Sequence, residues 1–445
     1  MLPPKVKLLC LFLLLAPILA LAQINPQFNP IPPSHGINSP NPVYALNIKY
    51  DNIEPQKQKF HLFLPDTTGS YPLVVFIHGG GFTGGSPNAA YGTASRRADI
   101  KYFLENGYAY ASFGYRLIAT NQPDPDGVIK CLSDSKRALQ FVRYYASDLK
   151  IDPERIALTG GSAGAGTSLW LGTRPNMADP GASDPVLRES TRVCAVVLNG
   201  SQSTYDLYRW ETEIFDNFDG MGTNYTLDSM VNLLGYQRAS NFYGGLDSIY
   251  QIIHDPALIQ YRQDVDMLYH LSSDDPPIYI SSYSPAVHPG QDLFHHSFHG
   301  REIQDVALAA NVSEVKADIP ALSINTTNGE SKNDFVIRHL SSCVSVASAP
   351  PTNSSLQATA ASLSSAGTAL RVAPNPASDH VVLSWPETAI RTVEMYAISG
   401  QLVRQFPGNF LPILDLSTDG LAPGIYVLRV ISEAGALRSQ KVVIE

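Results

Sequence analysis

The chain has 445 residues, a formal net charge of −9, 44% hydrophobic residues and 16% charged residues. This globular composition excludes wholesale disorder, and a mildly acidic balance without a long basic run argues against a nucleic-acid or anionic-membrane partner. The length allows two or three domains, and Cys10, Cys131, Cys194 and Cys343 are too few for a disulfide framework and show no C-x-x-C spacing for zinc.

Lys5 and Lys7 precede an apolar run from Leu8 to Leu21, and Ala20-Leu21-Ala22 gives the small-x-small pattern of a signal peptidase site. Residues 1–22 are therefore expected to be a cleaved export signal, because the run is shorter than the ~20 residues a bilayer span needs. No other stretch is long and apolar enough to cross a bilayer. Residues 23–42, rich in Pro and Asn, read as an extended arm.

From 43 to 340, strand and helix patterns alternate. Tyr44–Tyr50 and Lys59–Leu64 are short strands, and Tyr71–Ile77 (YPLVVFI) is an apolar run suited to a strand buried on both faces. Ser95–Glu105 reads as a helix, Ala109–Tyr115 as a strand, Val128–Leu149 as a helix, Arg155–Thr159 as a strand, Ala163–Leu171 as a helix and Val193–Leu198 as a strand. Such alternation predicts an α/β fold with a doubly wound, mostly parallel sheet. Residues 200–270 break the rhythm with many aromatic residues, Tyr205, Trp210, Phe215 and Phe242 among them, and read as a cap insertion with its own small core or a pocket lining. The strand pattern returns at Pro277–Ser282 and Ser313–Ile319.

Two glycine motifs carry the chemistry. Gly160-Gly161-Ser162-Ala163-Gly164 fits G-x-S-x-G between a predicted strand and a predicted helix, the setting of a nucleophile elbow. His78-Gly79-Gly80-Gly81-Phe82 follows the buried strand, and its glycines free the backbone to aim N–H groups at one point. With Ala163 N–H, those of Gly80 and Gly81 would form an oxyanion hole, each donor worth about 3 kcal/mol of transition-state stabilisation.

Residues 71–166, with Asp152-Pro153-Glu154-Arg155 before the elbow strand, resemble the HGGG-bearing carboxylesterase/lipase branch of the α/β-hydrolase superfamily. The resemblance implies Ser162 as nucleophile, Gly80, Gly81 and Ala163 as oxyanion donors, a structural role for His78, and no cofactor. The order Ser, then Asp or Glu, then His is expected of that family, yet no histidine follows the strand Ser313–Ile319 until His339. Histidines cluster earlier, at His288, His295, His296 and His299. One of them, His296 in this reading, would be the base, with Asp292 or another carboxylate orienting it; the alternative is that the four are polar loop residues near a crevice. His295 and His299 also have an i, i+4 metal-ligand spacing, but no third ligand is evident and no metal is expected. The Asp216–Asn224 stretch misses the EF-hand spacing and reads as a solvated loop.

Residues 341–370 lack charge and are rich in Ala, Ser, Thr and Pro, the composition of a linker. Beyond it, 371–445 has short alternating strands at His380–Ser384, Thr392–Ala397, Gly424–Val430 and Lys441–Ile444, as in a small all-β sandwich. Ala373-Pro374-Asn375-Pro376, Ile398-Ser399-Gly400-Gln401, Leu421-Ala422-Pro423-Gly424 and the terminal Lys441-Val442-Val443-Ile444-Glu445 resemble the C-terminal sorting domain of the type IX secretion system. That resemblance implies the type IX machinery as partner and release from, or attachment to, a Bacteroidetes-type cell surface. The expected function is hydrolysis of short acyl or aryl esters, with acetyl or feruloyl esters of polysaccharides as candidates. A non-catalytic surface binding protein with a decayed triad and a serine peptidase are the alternatives.

Overall fold

The computed structural model describes residues 23–92, 94, 97–215, 226–287, 292–343, 371–373, 377, 380–385, 390–397, 401–411, 413–418, 420–432 and 437–444. The export signal, His288, the Asp216–Asn224 loop and nearly all of the linker lie outside the described residues. Contacts divide the chain into two units, Met1–Ile252 with Pro256–Thr352, and Ile253–Asp255 with Asn353–Glu445.

The large unit is built on a ten-stranded sheet in the order β1-β2-β3-β5-β4-β6-β7-β8-β9-β10. Its strands are β1 (Asn29–Pro30), β2 (Val43–Lys49), β3 (Lys59–Leu64), β4 (Tyr71–Ile77), β5 (Ala109–Phe113), β6 (Ile151–Gly161), β7 (Ala195–Asn199), β8 (Ile278–Ser281), β9 (Val315–Ile319) and β10 (Ile324–Asn325). From β5 across to β9 all pairings are parallel, and the two edges are antiparallel. Consecutive residues of a strand face opposite sides. Leu73, Val74 and Val75 of β4, Ile156, Ala157 and Leu158 of β6 and Val196, Val197 and Leu198 of β7 are all buried, so both faces of the central sheet are covered.

Several expectations shift in detail. The arm is not merely extended: Asn29 and Pro30 pair with Tyr44 and Val43 at the sheet edge. The helix expected over 128–149 is two, Ile129–Tyr144 and Ala146–Leu149, parted at Tyr145. The insertion after β7 is helical, including Leu227–Leu234, Tyr236–Phe242, Pro256–Asp264 and a π-helical turn at Trp210–Ile214. Buried ion pairs tie it together: Arg262 grips Asp206 through Nε and Nη2 at 2.7 and 2.8 Å, and Arg209 lies 2.7 Å from Asp266. A disulfide joins Cys194, ahead of β7, to Cys343, at the end of the helix Lys332–Ser342, while Cys131 is free and buried. Among the described residues no helix is long and apolar enough to cross a membrane.

The small unit has a three-stranded sheet, β11 (Arg371–Ala373), β12 (His380–Ser384) and β15 (Ile413–Ser417), and a four-stranded one in the order β14-β13-β16-β17 (Leu402–Leu411, Ile390–Ala397, Gly424–Ser432 and Leu437–Ile444). Val381, Leu383, Leu414 and Leu416 of the first share one core with Val393, Met395, Leu428 and Val430 of the second. Two sheets around one apolar layer make a sandwich.

Candidate active site

β6 ends in the turn that carries Ser162, whose φ of +54° and ψ of −123° lie outside the regions a serine ordinarily adopts. The flanking glycines make that turn possible by close approach. A Cβ on Gly160 would stand 2.2 Å from the Gly164 carbonyl oxygen, and one on Gly164 would stand 2.0 Å from that of Ile77 in β4. The helix Ala163–Thr173 starts directly after the serine, so its unpaired N–H groups and dipole favour negative charge there. Asn199 at the end of β7 braces the turn from the other side. Its carbonyl accepts the Ser162 N–H at 2.9 Å and its amide donates to Gly160 O at 2.9 Å. Sequence reasoning missed Asn199, whose signal is an amide closing an apolar strand.

The histidine that meets Ser162 is His295, not His296. Ser162 Oγ lies 2.9 Å from His295 Nε2, and His295 Nδ1 lies 2.9 Å from Asp292 Oδ2. The His295 N–H also donates to Asp292 Oδ1 at 3.2 Å, so one turn fixes both backbone and ring. With the Nδ1 proton donated to the carboxylate, Nε2 is the acceptor for the serine hydroxyl. His296 faces the other way because it is the N-cap of the helix Ser297–Ala309. Its Nδ1 accepts the Phe298 N–H at 3.3 Å, and its buried ring packs on Phe215 and Phe298. The spacing Asp-x-x-His, a turn in which a carboxylate caps the N–H three residues on, was the signal that singles out His295.

His299 is buried behind this turn. Its Nε2 lies 3.1 Å from Leu293 O and its Nδ1 lies 2.9 Å from Ser203 Oγ, so the ring ties the Asp292–His295 turn to the strand-end segment after β7. Burial lowers its pKa to about 3, which keeps the ring neutral with one nitrogen donating and one accepting. Gln202 adds a second tie, donating to Phe294 O at 2.7 Å. The metal reading for His295 and His299 therefore fails, since both rings are engaged elsewhere. Among the described residues no group of three or more His, Cys, Asp or Glu side chains could hold a metal ion. His339 lies on the helix Lys332–Ser342, 3.1 Å from Glu314.

The HGGG turn faces the serine. Gly80 and Gly81 have φ of +113° and +58°, and a Cβ on Gly80 would strike Gly84 O at 2.4 Å. Among the described residues, no acceptor takes the N–H groups of Gly80, Gly81 or Ala163. His78 is buried beneath them, stacked on Tyr115, with Nδ1 2.8 Å from Gly79 O. Burial lowers its pKa to about 4, so it is a neutral structural group.

Gly80, Gly81, Ser162, Ala163 and His295 open on one cavity of about 440 Å³. Its other walls are mainly apolar: Phe82, Tyr205, Trp210, Leu234, Phe242 and Phe294. Insertion aromatics thus serve in both expected ways, with Tyr205, Trp210 and Phe242 on the wall and Phe215 and Tyr243 buried in the core. An aligned serine, imidazole and carboxylate beside free N–H donors can support attack on a carbonyl carbon.

The family model BD-FAE matches residues 60–238, and the model of the secretion system C-terminal sorting domain matches residues 371–445. The chain is 35% identical over 132 residues to a probable carboxylic ester hydrolase, LipM, of Mycobacterium tuberculosis, covering 30% of this chain and 28% of that protein. It is 38% identical over 96 residues to acetylcholinesterase of Gallus gallus, covering 21% of this chain and 12% of that one. The chain thus spans less than a third of the length of either relative. A solved truncated form of a carbohydrate esterase from gut microbiota is 18% identical, covering 67% of this chain and 96% of that one, with a TM-score of 0.45.

Proposed function

We propose, for a chain that joins an α/β-hydrolase domain of the BD-FAE family to a secretion system C-terminal sorting domain, that it is an exported serine carboxylic ester hydrolase acting on short acyl or aryl esters. The observation that carries this reading is the hydrogen-bonded relay from Ser162 Oγ through the His295 ring to Asp292. Ser162 attacks the ester carbonyl as His295 Nε2 takes its proton. The oxyanion is held by the N–H groups of Gly80, Gly81 and Ala163, where loss of one donor costs about 3 kcal/mol in such sites. His295 then gives its proton to the departing alcohol. A water, deprotonated by the same ring, opens the acyl-enzyme and returns the serine hydroxyl.

The binding-protein alternative rested on the lack of a late histidine, and His295 supplies an imidazole from an earlier connection. Esters of an aromatic or short aliphatic acid suit the aromatic walls and the volume of the cavity. Acetyl or feruloyl groups on polysaccharides are the candidates that fit an exported enzyme. The type IX machinery would engage the sorting domain and leave the protein released or attached at the cell surface. The test is hydrolysis of 4-nitrophenyl acetate and butyrate by mature protein and by Ser162→Ala. Turnover lost in the variant supports the reading; equal rates in both proteins overturn it, and cleavage of peptides but not esters favours a peptidase.

A further inference from the structure

The wall of the cavity carries one feature that ester hydrolysis by itself does not require. Arg238, on the helix Tyr236–Phe242, lines the same cavity as Ser162 and His295. Its guanidinium lies over the Phe294 ring, 5.0 Å from the centroid, and Nη2 approaches Gly81 O at 3.4 Å, too long for a strong hydrogen bond. It stands so close to the HGGG turn that a Cβ on Gly81 would be 2.4 Å from Nη2.

Among the described residues no carboxylate pairs with it, although arginines 209 and 262 in the same insertion each hold an aspartate. Partial burial lowers its pKa, and among the described residues no acid offsets that effect. Gln202, the neighbouring polar group on the wall, is committed to Phe294 O. A guanidinium in an apolar cavity that spends one donor on a long contact to Gly81 O, and meets no carboxylate among the described residues, is matched by a carboxylate, which it can bind with two parallel hydrogen bonds.

We propose that the site selects esters carrying a carboxylate in the same molecule, seated on Arg238 a short spacer from the reacting carbonyl. The proposal rests on the esterase reading and narrows its substrate class to acidic esters, such as acyl groups on a uronic acid or half-esters of a dicarboxylic acid. Arg238 is then a specificity-determining residue. Because Gly81 is a proposed oxyanion donor, the carboxylate and the reacting carbonyl lie on adjacent parts of one wall.

The experiment compares matched esters that differ in charge. One pair is 3-acetoxybenzoate and its methyl ester, with the charge on the alcohol side. The other is 4-nitrophenyl 4-carboxybenzoate and its methyl ester, with the charge on the acyl side. The quantity read is the anionic-to-neutral ratio of kcat/KM in the parent protein, in Arg238→Gln and in Arg238→Lys. Loss of a charge-assisted hydrogen bond predicts a fall in that ratio of about 10- to 100-fold in Arg238→Gln for at least one pair. Arg238→Lys should recover part of it, and added salt should shrink it in the parent. A ratio unchanged within about twofold in Arg238→Gln for both pairs, against that expected fall, overturns the proposal.

Absence of turnover on all four esters would count against the esterase reading instead. The arginine is read without turnover by titrating Ser162→Ala with 3-acetoxybenzoate and with its methyl ester. Tighter binding of the anion, lost on adding Arg238→Gln, supports the proposal, and equal affinities overturn it.

Discussion

His295 Nε2 stands 2.9 Å from Ser162 Oγ, although the two residues are 133 positions apart and leave different strands of the sheet. The acid that orients the ring, Asp292, lies only three residues before it, in the same connection between β8 and the helix Ser297–Ala309. The proposed acid and base are thus delivered by one turn, and whatever holds that turn holds both hydrogen bonds.

Replacement of the two adjacent histidines separates their roles. His295→Ala should lower kcat by about 10³-fold or more, as loss of a triad imidazole does. His296→Ala, which removes a helix cap and a buried ring, should cost about 2–4 kcal/mol of stability with a far smaller effect on kcat. Rates with 4-nitrophenyl acetate and urea melts of both variants check this; similar loss of kcat in the two would contradict the assignment.

The elbow is intolerant at the positions where backbones touch. Gly164→Ala puts a methyl 2.0 Å from Ile77 O, whereas a Cβ on Gly161 meets nothing within 4 Å. Gly164→Ala should therefore destabilise the protein by more than about 3 kcal/mol or prevent its folding, and Gly161→Ala should leave stability within about 1 kcal/mol. Thermal melts of the two variants read the contrast directly.

Acid should weaken the fold through two buried imidazoles. Burial lowers His78 to about 4 and His299 to about 3 from the ordinary 6.5. Between those values and 6.5 the unfolded chain binds more protons than the folded one, so stability falls as pH falls. The slope is up to about 1.4 kcal/mol per pH unit for each ring, and above pH 6.5 the effect is fully recovered. His299→Gln keeps a donor and an acceptor but cannot titrate, so its stability should decline less between about pH 6 and pH 5 than that of the parent. Parallel urea melts at the two pH values test it; equal declines would contradict it.

The Cys194–Cys343 bridge closes a loop with a sequence separation of 149. The chain-entropy model gives such a crosslink up to about 5 kcal/mol. Cys343→Ser should lower the melting temperature, and reductant should then have no further effect. A variant that melts with the parent would contradict a stabilising role. An oxidised bridge also suits a chain that leaves the cytosol.

Much of this molecule was legible in its residues. Tyr71–Ile77 is apolar throughout because β4 is covered on both faces, and the glycine spacing around Ser162 reflects two backbone contacts that admit no side chain. Residue type alone did not separate His295 from His296: the Asp292-x-x-His295 spacing was the one signal, and the outcome depends on which way the chain turns as it enters a helix. The pairing of Cys194 with Cys343 depends on a tertiary approach that spacing does not encode. In the small unit, β14 was not among the expected strands, and it carries Pro407 and Gly408 within its span. Its place at the edge of the four-stranded sheet is where a proline is tolerated. Arg238 could not be distinguished from a surface arginine until the insertion was seen to fold over the serine.

The most direct test of the central claim is to quench a reaction with 4-nitrophenyl acetate at early times and map the acylated residue by peptide mass spectrometry. The account predicts an acetyl group on Ser162 in the parent protein, and none in Ser162→Ala or His295→Ala. Sustained turnover with no adduct at Ser162, persisting in Ser162→Ala, would contradict it.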